Sequence, residues 1–420
     1  MASTTERPLG TTAFPTSCAA PAPAPEEPAR VGPLLVFVVL GAGLCGYVGV
    51  AHGAKFAVLL ALGLGLGLAL FHSRFGFTSA WRQLIAVGNG KGLRAHTLLL
   101  GTTATLVALI AGTGSGLFGS TPKVTGGPIG LALFVGALLF AIGMQLGGAC
   151  ASGTLFAVGS GQSAIALTLG GFILGSVFYT WAFPVLSGWP EVPGVVLSEH
   201  VGWLGSWAIT IAALGGIVLA TRAVQRRRNP PPVAPVPTAH GAARIFRGAW
   251  PMLAGAVVLA VLAGAVFLVS GGPWGVTSAF ALWGAKVLQL VGMHPETWEF
   301  WQSPANAKSL QGPVWTDKTS LTNIGIMIGA AAAAAAAGAW KIHRSIPGRT
   351  ALAAVLGGVL MGVGARLAGG CNIGAYLGGI STGSLHGWLW GAFALGGTWI
   401  GLKLRPLFGL ANPKPSDGVC

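Results

Sequence analysis

The feature that most constrains the fold is a series of long apolar stretches. None of these stretches contains an acidic residue. Ten stretches approach the roughly 17–25 residues that cross a bilayer as a helix: about 32–51, 54–71, 95–113, 128–146, 163–183, 203–221, 246–270, 321–340, 349–367 and 385–402. All nine Asp and Glu residues lie in tails or polar loops. With 53% hydrophobic and 8% charged residues, only a polytopic membrane protein fits. We therefore predict an all-α polytopic fold with about ten spanning helices.

The charge pattern excludes some functions. Proton-driven and cation-coupled transporters usually keep an intramembrane carboxylate, so its absence disfavours a carboxylate relay and permits an anionic substrate. The net charge of +15 does not indicate nucleic acid, because Lys and Arg cluster beside the apolar stretches. The five cysteines form no CxxC and no metal-ligand spacing, so we predict no metal and no other cofactor.

Composition divides the chain into five parts. We predict a disordered tail at 1–31 and a first membrane half at 32–221. A basic, Pro-rich linker at 222–245 precedes the second half at 246–405 and a C-terminal tail at 406–420. Because Lys and Arg favour the cytoplasmic side, the linker belongs inside, and both termini are then cytoplasmic.

Two segments of the chain read almost alike. Gly143–Ser163 and Gly364–Ser384 align without gaps at an offset of 221, and each carries a cysteine, Cys150 or Cys371. Loop charge predicts that the first segment enters from the cytoplasm and the second from outside. The sequence therefore predicts two inverted repeats with a site between them.

A weaker repeat marks further breaks. FGFTSA at 75–80 resembles WGVTSA at 274–279, and each precedes a stretch, 77–87 or 276–290, too short or too polar to span comfortably. We predict four short re-entrant half-helices, these two and one after each cysteine. Non-helical backbone at membrane depth must be buried in protein or line a cavity, so we expect a cavity.

The cysteines stand where a broken helix restarts, after Gly148 in the first half and Gly370 in the second. The first N–H groups of a half-helix favour an anion. A buried thiol stays neutral and can contact a soft sulfur atom without repelling negative charge. The pattern favours an anion with a terminal sulfur over sulfate or phosphate. Cys45 is a further candidate for the pathway. Alternatively, Cys150 and Cys371 pack as small apolar residues or form a disulfide, and Cys45 only packs within its apolar stretch.

Polar residues near the cysteines are further candidates. Arg366 aligns with Gln145; its guanidinium would draw an anion inward from outside, while Gln145 would donate a hydrogen bond at the inner side. Alternatively, Arg366 extends to the membrane interface. Asn372 offers a neutral donor or a helix cap, and Trp390 is predicted to mark the interface.

The segments LGGACASG, RLAGGCNIGA, FGFTSA and WGVTSA resemble the YeeE/YedE family of sulfur transporters, over most of residues 54–402. The resemblance implies an hourglass-like transporter in the bacterial inner membrane that passes thiosulfate along cysteines by transient S–H···S contacts. Family members commonly carry cysteine after the Gly-Phe of the first motif. This chain has Thr78 there and Thr277 in the second half, and a hydroxyl is the harder donor.

We therefore predict a transporter rather than an enzyme, taking up thiosulfate or a related sulfur anion between Cys150 and Cys371. One alternative is a persulfide carrier that delivers sulfur to a cytoplasmic sulfur-accepting protein. It would need an activated thiolate, and no His or Lys adjoins either cysteine in sequence. Another alternative is transport of selenite or sulfite.

Overall fold

The computed structural model describes residues 28–124, 126–230, 241, 243–342 and 345–414. Three predicted regions fall largely or partly outside the described residues. They are the N-terminal tail to residue 27, the linker at 231–240 and 242, and the C-terminal tail from 415.

The described chain is almost entirely helical. Its α-helices, numbered in chain order, are α1 Val31–His52, α2 Ala54–Ser73, α3 Phe77–Val87, α4 Lys91–Gly112, α5 Leu131–Leu146, α6 Ala151–Gly159, α7 Ser163–Trp181, α8 Phe183–Leu186, α9 Leu197–Arg228, α10 Ala243–Arg247, α11 Met252–Ser270, α12 Ser278–Leu290, α13 Glu299–Gln302, α14 Pro304–Gln311, α15 Lys318–Ala336, α16 Gly348–Leu367, α17 Gly378–Ser381 and α18 Leu385–Leu404. A π-helix covers Asn372–Leu377. Short 3₁₀ turns cover Pro295–Thr297, Val314–Thr316 and Arg405–Phe408. The strands β1 Ile129–Gly130 and β2 Glu191–Val192 pair antiparallel.

The long helices confirm the predicted fold class. Ten described helices, α1, α2, α4, α5, α7, α9, α11, α15, α16 and α18, have 16 residues or more. By length and composition, nine helical segments of the described chain can cross a membrane. A helix satisfies its own backbone hydrogen bonds, as the bilayer core requires.

The short helices lie where the motifs predicted breaks. Helix α3 has the predicted bounds, α12 begins two residues later than predicted, and α6 follows the first cysteine. The segment after the second cysteine differs, because a π-helix followed by α17 replaces a single α-helix.

A helix extends into the segment that was predicted to be the linker. Helix α9 continues through Arg228, so the residues from Arg222 to Arg228 are helical. The helix ends only at Asn229, in the left-handed conformation, just before Pro230. Arginine is a good helix former, so this basic run continues the helix and does not end it.

Corresponding helices of the two halves pack in corresponding pairs. Helix α16 lies against α7 as α5 lies against α18, and α15 lies against α2 as α4 lies against α11. Helices α5 and α16 contact each other directly. These contacts surround the two cysteine segments, whereas the inversion of the halves across the bilayer stays a prediction.

Candidate functional site

The backbone turns in the same way at both cysteines. Gly148 and Gly369, which correspond in the repeat, have φ values of +83° and +65°. A residue with a side chain rarely adopts this left-handed backbone conformation, so glycine is favoured at both positions. Cys150 and Cys371 then follow in extended conformation and precede a new helix. The sequence signal for a break was therefore the glycine two residues before each cysteine.

The first turns after the cysteines differ. The N–H of Thr154 donates to the Cys150 carbonyl at 2.7 Å, and the N–H of Ala375 donates to the Cys371 carbonyl at 2.9 Å. In the second segment the N–H of Tyr376 also donates to the Cys371 carbonyl, at 3.3 Å. This wider bonding belongs to a π-helix, a feature frequent at functional sites.

The two thiols lie close together in the protein interior. Cys150 is 1% exposed and Cys371 is 0% exposed, and both belong to one hydrophobic core. Helix α6, which follows Cys150, contacts the π-helix that follows Cys371, so the two cysteine segments meet. Both are free thiols, so the disulfide alternative is wrong.

Backbone donors surround the sulfur of Cys371. The N–H of Ile373 donates to Cys371 Sγ at 3.4 Å, and the N–H of Gly374 also faces this sulfur. In the first half, Cys150 Sγ lies 3.7 Å from the hydroxyl of Ser152. Short helix starts of this kind provide N–H groups for an electron-rich atom.

Asn372 is the most unusual polar residue at the site. It is 0% exposed, and neither its amide nitrogen nor its amide oxygen has a hydrogen-bond partner. A buried polar group left unpaired costs about 1–3 kcal/mol. Ala151 occupies the corresponding position in the first half, so the unpaired amide belongs to the Cys371 side alone.

A buried arginine that the sequence analysis missed holds Gln145. Arg82, 1% exposed on α3, donates from Nε to Gln145 Oε1 at 2.9 Å. Gln145 Nε2 donates to the carbonyl of Thr78 at 3.3 Å, and Arg405 donates to the Gln145 carbonyl at 2.6 Å. The available signal was a charged residue inside a predicted half-helix, which is functional by default.

In the second half of the chain, Arg366 takes the position that corresponds to Gln145. Its Nη2 donates to the hydroxyl of Thr277 at 3.1 Å, while its buried Nε has no partner. The described residues contain one salt bridge, between His294 and Glu296, so no described carboxylate pairs with Arg366. Its bond to Thr277 ties it to the start of α12.

The threonines Thr78 and Thr277 therefore occupy matching positions. Each accepts a hydrogen bond from the polar residue on the neighbouring long helix, Thr78 through its carbonyl and Thr277 through its hydroxyl. The hydroxyl of Thr78 is buried and has no partner.

Two other sequence predictions concern Trp390 and Cys45. Trp390 is not at the interface: it is 0% exposed, and its indole N–H donates to the carbonyl of Gly370 at 3.2 Å. Its ring lies 6.1 Å from Tyr376 and 6.2 Å from Trp81. Cys45 lies on α1, which packs on α2 and α15, so the structure does not bring it to the other two cysteines.

These features define a class of protein: a multi-pass α-helical membrane protein whose short helices meet at two buried thiols. The chain belongs to the sulphur transport family, whose model matches residues 72–400. It is 27% identical over 364 residues to the "Thiosulfate transporter TsuA" of Spirochaeta thermophila, covering 81% of this chain and 96% of that protein.

Two Escherichia coli proteins are also similar. The "Thiosulfate transporter TsuA" of strain K12 is 27% identical over 352 residues, covering 81% of this chain and 92% of the relative. The "Probable transporter YedE" is 34% identical over 170 residues, and the match spans 39% of this chain and 41% of that protein.

Proposed function

We propose that this protein takes up thiosulfate, or a closely related sulfur anion, through the region between Cys150 and Cys371. The observation that carries the proposal is the buried, unpaired amide of Asn372 beside the Cys371 sulfur. The names of the two full-length relatives agree with this substrate. By the distribution of Lys and Arg, both termini lie in the cytoplasm of a bacterial cell, inside its inner membrane.

The chemistry of the site suits an anion that carries both oxygen atoms and a terminal sulfur atom. The amide of Asn372 would donate to its oxygens. The neutral thiols would contact its terminal sulfur without repelling its charge, and no covalent bond would form. The anion would pass from one thiol to the other because each contact is weak.

The route must open for transport, since both thiols are enclosed. Gly369 is exposed and Arg366 is partly exposed, so this side of the Cys371 break lies nearest the protein surface. We propose that Arg366 attracts the anion there and that Gln145, held by Arg82, donates a hydrogen bond to the anion on the opposite side. A cation without a carboxylate partner is well suited to this task.

Replacing Asn372 by Leu distinguishes a role of its amide in substrate binding from a role in stabilising the fold. We expect uptake of radiolabelled thiosulfate to fall at least about tenfold, because one amide contact to an anion contributes about 1.5–3 kcal/mol. The free energy of unfolding should stay unchanged or rise, since an unpaired buried amide is removed. Uptake in vesicles and thermal unfolding in detergent measure both effects.

Asn323 provides the matched control. Its amide nitrogen donates to the Val276 carbonyl at 2.8 Å, so Asn323→Leu leaves a buried acceptor unpaired and should lower the unfolding temperature. If Asn372→Leu also destabilises the protein, or leaves uptake unchanged, Asn372 does not bind the substrate.

Arg366→Gln should mainly weaken substrate capture. We expect the KM for thiosulfate to rise about tenfold, which corresponds to about 1.4 kcal/mol, with a smaller change in maximal rate. Arg366→Lys should recover part of the loss, because it restores the charge without the planar guanidinium. Concentration-dependent uptake measures both constants, and a pure loss of maximal rate would contradict the role of Arg366 in attraction.

Competition between thiosulfate and sulfite tests which anion the protein transports. We expect excess unlabelled thiosulfate to compete fully with labelled thiosulfate, and sulfite, which lacks a terminal sulfur, to compete weakly. Equal competition by sulfite would favour transport of a different anion and would remove the need for thiol contacts.

A further inference from the structure

A groove that the transport proposal does not use lies between α4, α9 and α11. It encloses about 760 Å³, and its walls are mostly apolar, including Leu98, Ile211, Leu214 and Val218. Lys91, Arg94 and Arg222 line its other end. The groove therefore joins an apolar slot to a cationic end, which is the polarity of a phospholipid.

A second cavity of about 390 Å³ continues the cationic end. It shares Arg94 and Arg222 with the groove and adds Arg226. Its remaining lining residues, Gln225, Asn229 and Pro230, carry no charge, and neither cavity is lined by a carboxylate. Three guanidinium groups thus converge with no acid among the lining residues to neutralise them.

The guanidinium group of Arg94 is only partly hydrogen-bonded within the protein. Its Nη2 donates to Gln225 Oε1 at 2.7 Å, while its Nη1 is buried and has no hydrogen-bond partner. Arg94 and Arg222 are also close enough to repel each other. An anion between the two guanidinium groups would relieve this repulsion and accept charge-assisted hydrogen bonds.

We propose that this groove binds an anionic glycerophospholipid. Its phosphodiester would lie among Arg94, Arg222 and Arg226, and an acyl chain would fill the slot between α4 and α9. Basic pockets between membrane helices bind such headgroups on the cytoplasmic side, and arginine matches phosphate geometry well. The lipid would link the end of α9 to the start of α4.

The charge half of the proposal is tested with the full-length protein in mild detergent. Binding of fluorescent phosphatidylglycerol is measured by fluorescence anisotropy, with phosphatidylcholine as the neutral probe. We expect Arg222→Gln to weaken phosphatidylglycerol binding about fivefold and Arg94→Gln with Arg222→Gln about thirtyfold, at about 1 kcal/mol per charge. Arg227→Gln is the control, because Arg227 lies on the same helix but lines neither cavity.

The apolar half has its own pair of variants. Gly215 lines the groove, and a Cβ there would meet no atom within 4 Å; Gly216 is equally open but does not line the groove. Gly215→Leu should fill the slot and weaken lipid binding severalfold, while Gly216→Leu should not.

Three results would overturn the proposal: equal binding of phosphatidylglycerol and phosphatidylcholine, equal losses in Arg222→Gln and Arg227→Gln, or equal losses in the two glycine variants. Displacement of the lipid by glycerol 3-phosphate at equal concentration would show a site for free phosphate esters and would also overturn it. Each variant is first checked for a monodisperse elution profile, and an arginine variant that fails this check is replaced by the corresponding Ala substitution.

Discussion

Replacement of Cys371 by Ser should reduce thiosulfate uptake by at least about tenfold, a loss of about 1.4 kcal/mol or more in the rate-limiting contact. The hydroxyl preserves the donor but is smaller, harder and less polarisable than the thiol. Cys371 Sγ also accepts the N–H of Ile373 at 3.4 Å, and the shorter serine side chain would hold its oxygen differently. Cys150→Ser should have a comparable effect.

Cys45→Ser is the control for the thiol substitution. Cys45 is a free thiol on α1, apart from the two buried ones, so its variant should transport at the parent rate. Uptake of labelled thiosulfate into cells with matched protein levels measures all three variants. Full activity in both Cys150→Ser and Cys371→Ser would exclude a thiol pathway, even if thiosulfate is the substrate.

Gly171→Val should strongly destabilise the protein, whereas Gly170→Val should not. These neighbours lie on α7, and a Cβ at Gly171 would clash with the carbonyl oxygen of Val355 on α16. A Cβ at Gly170 would meet no atom within 4 Å. Overpacking costs about 1–3 kcal/mol or more, and both variants carry the same intrinsic cost of a β-branched residue in a helix.

Thermal unfolding in detergent compares the two glycine variants. A lower unfolding temperature for Gly171→Val alone would show that α7 and α16 approach through glycine, as small residues allow in membranes. Equal unfolding temperatures would mean that the helices separate without cost. Because α16 also contacts α5, we expect Gly171→Val to reduce uptake as well.

The local features of this protein were predictable because their causes are local. Apolarity over about 20 residues predicts a spanning helix wherever it occurs, and the glycines shortly before each cysteine, Gly148 and Gly370, predicted the breaks. The bounds of α3 followed from the stretch at 77–87, which is too short or too polar to span comfortably. The end of α9 was missed because charge was taken as a boundary, although arginine continues a helix well.

The site was only partly predictable, because contacts between distant segments define it. Arg82 reaches Gln145 across 63 residues of chain, and Trp390 reaches the carbonyl of Gly370 from the next helix. Neither contact has a spacing that sequence can display. The unpaired amide of Asn372 is equally invisible there, since pairing depends on every helix packed around it.

The sequence by itself determined the class of fold, the positions of the breaks and the two repeated thiols, because hydrophobicity and backbone conformation depend on neighbouring residues. Only the tertiary structure decided that Cys150 and Cys371 lie together, that Cys45 lies apart, and which donors have no partner. The physical reason is that helices in lipid choose their neighbours by close packing of small residues and by interhelical hydrogen bonds, and these depend on the whole bundle.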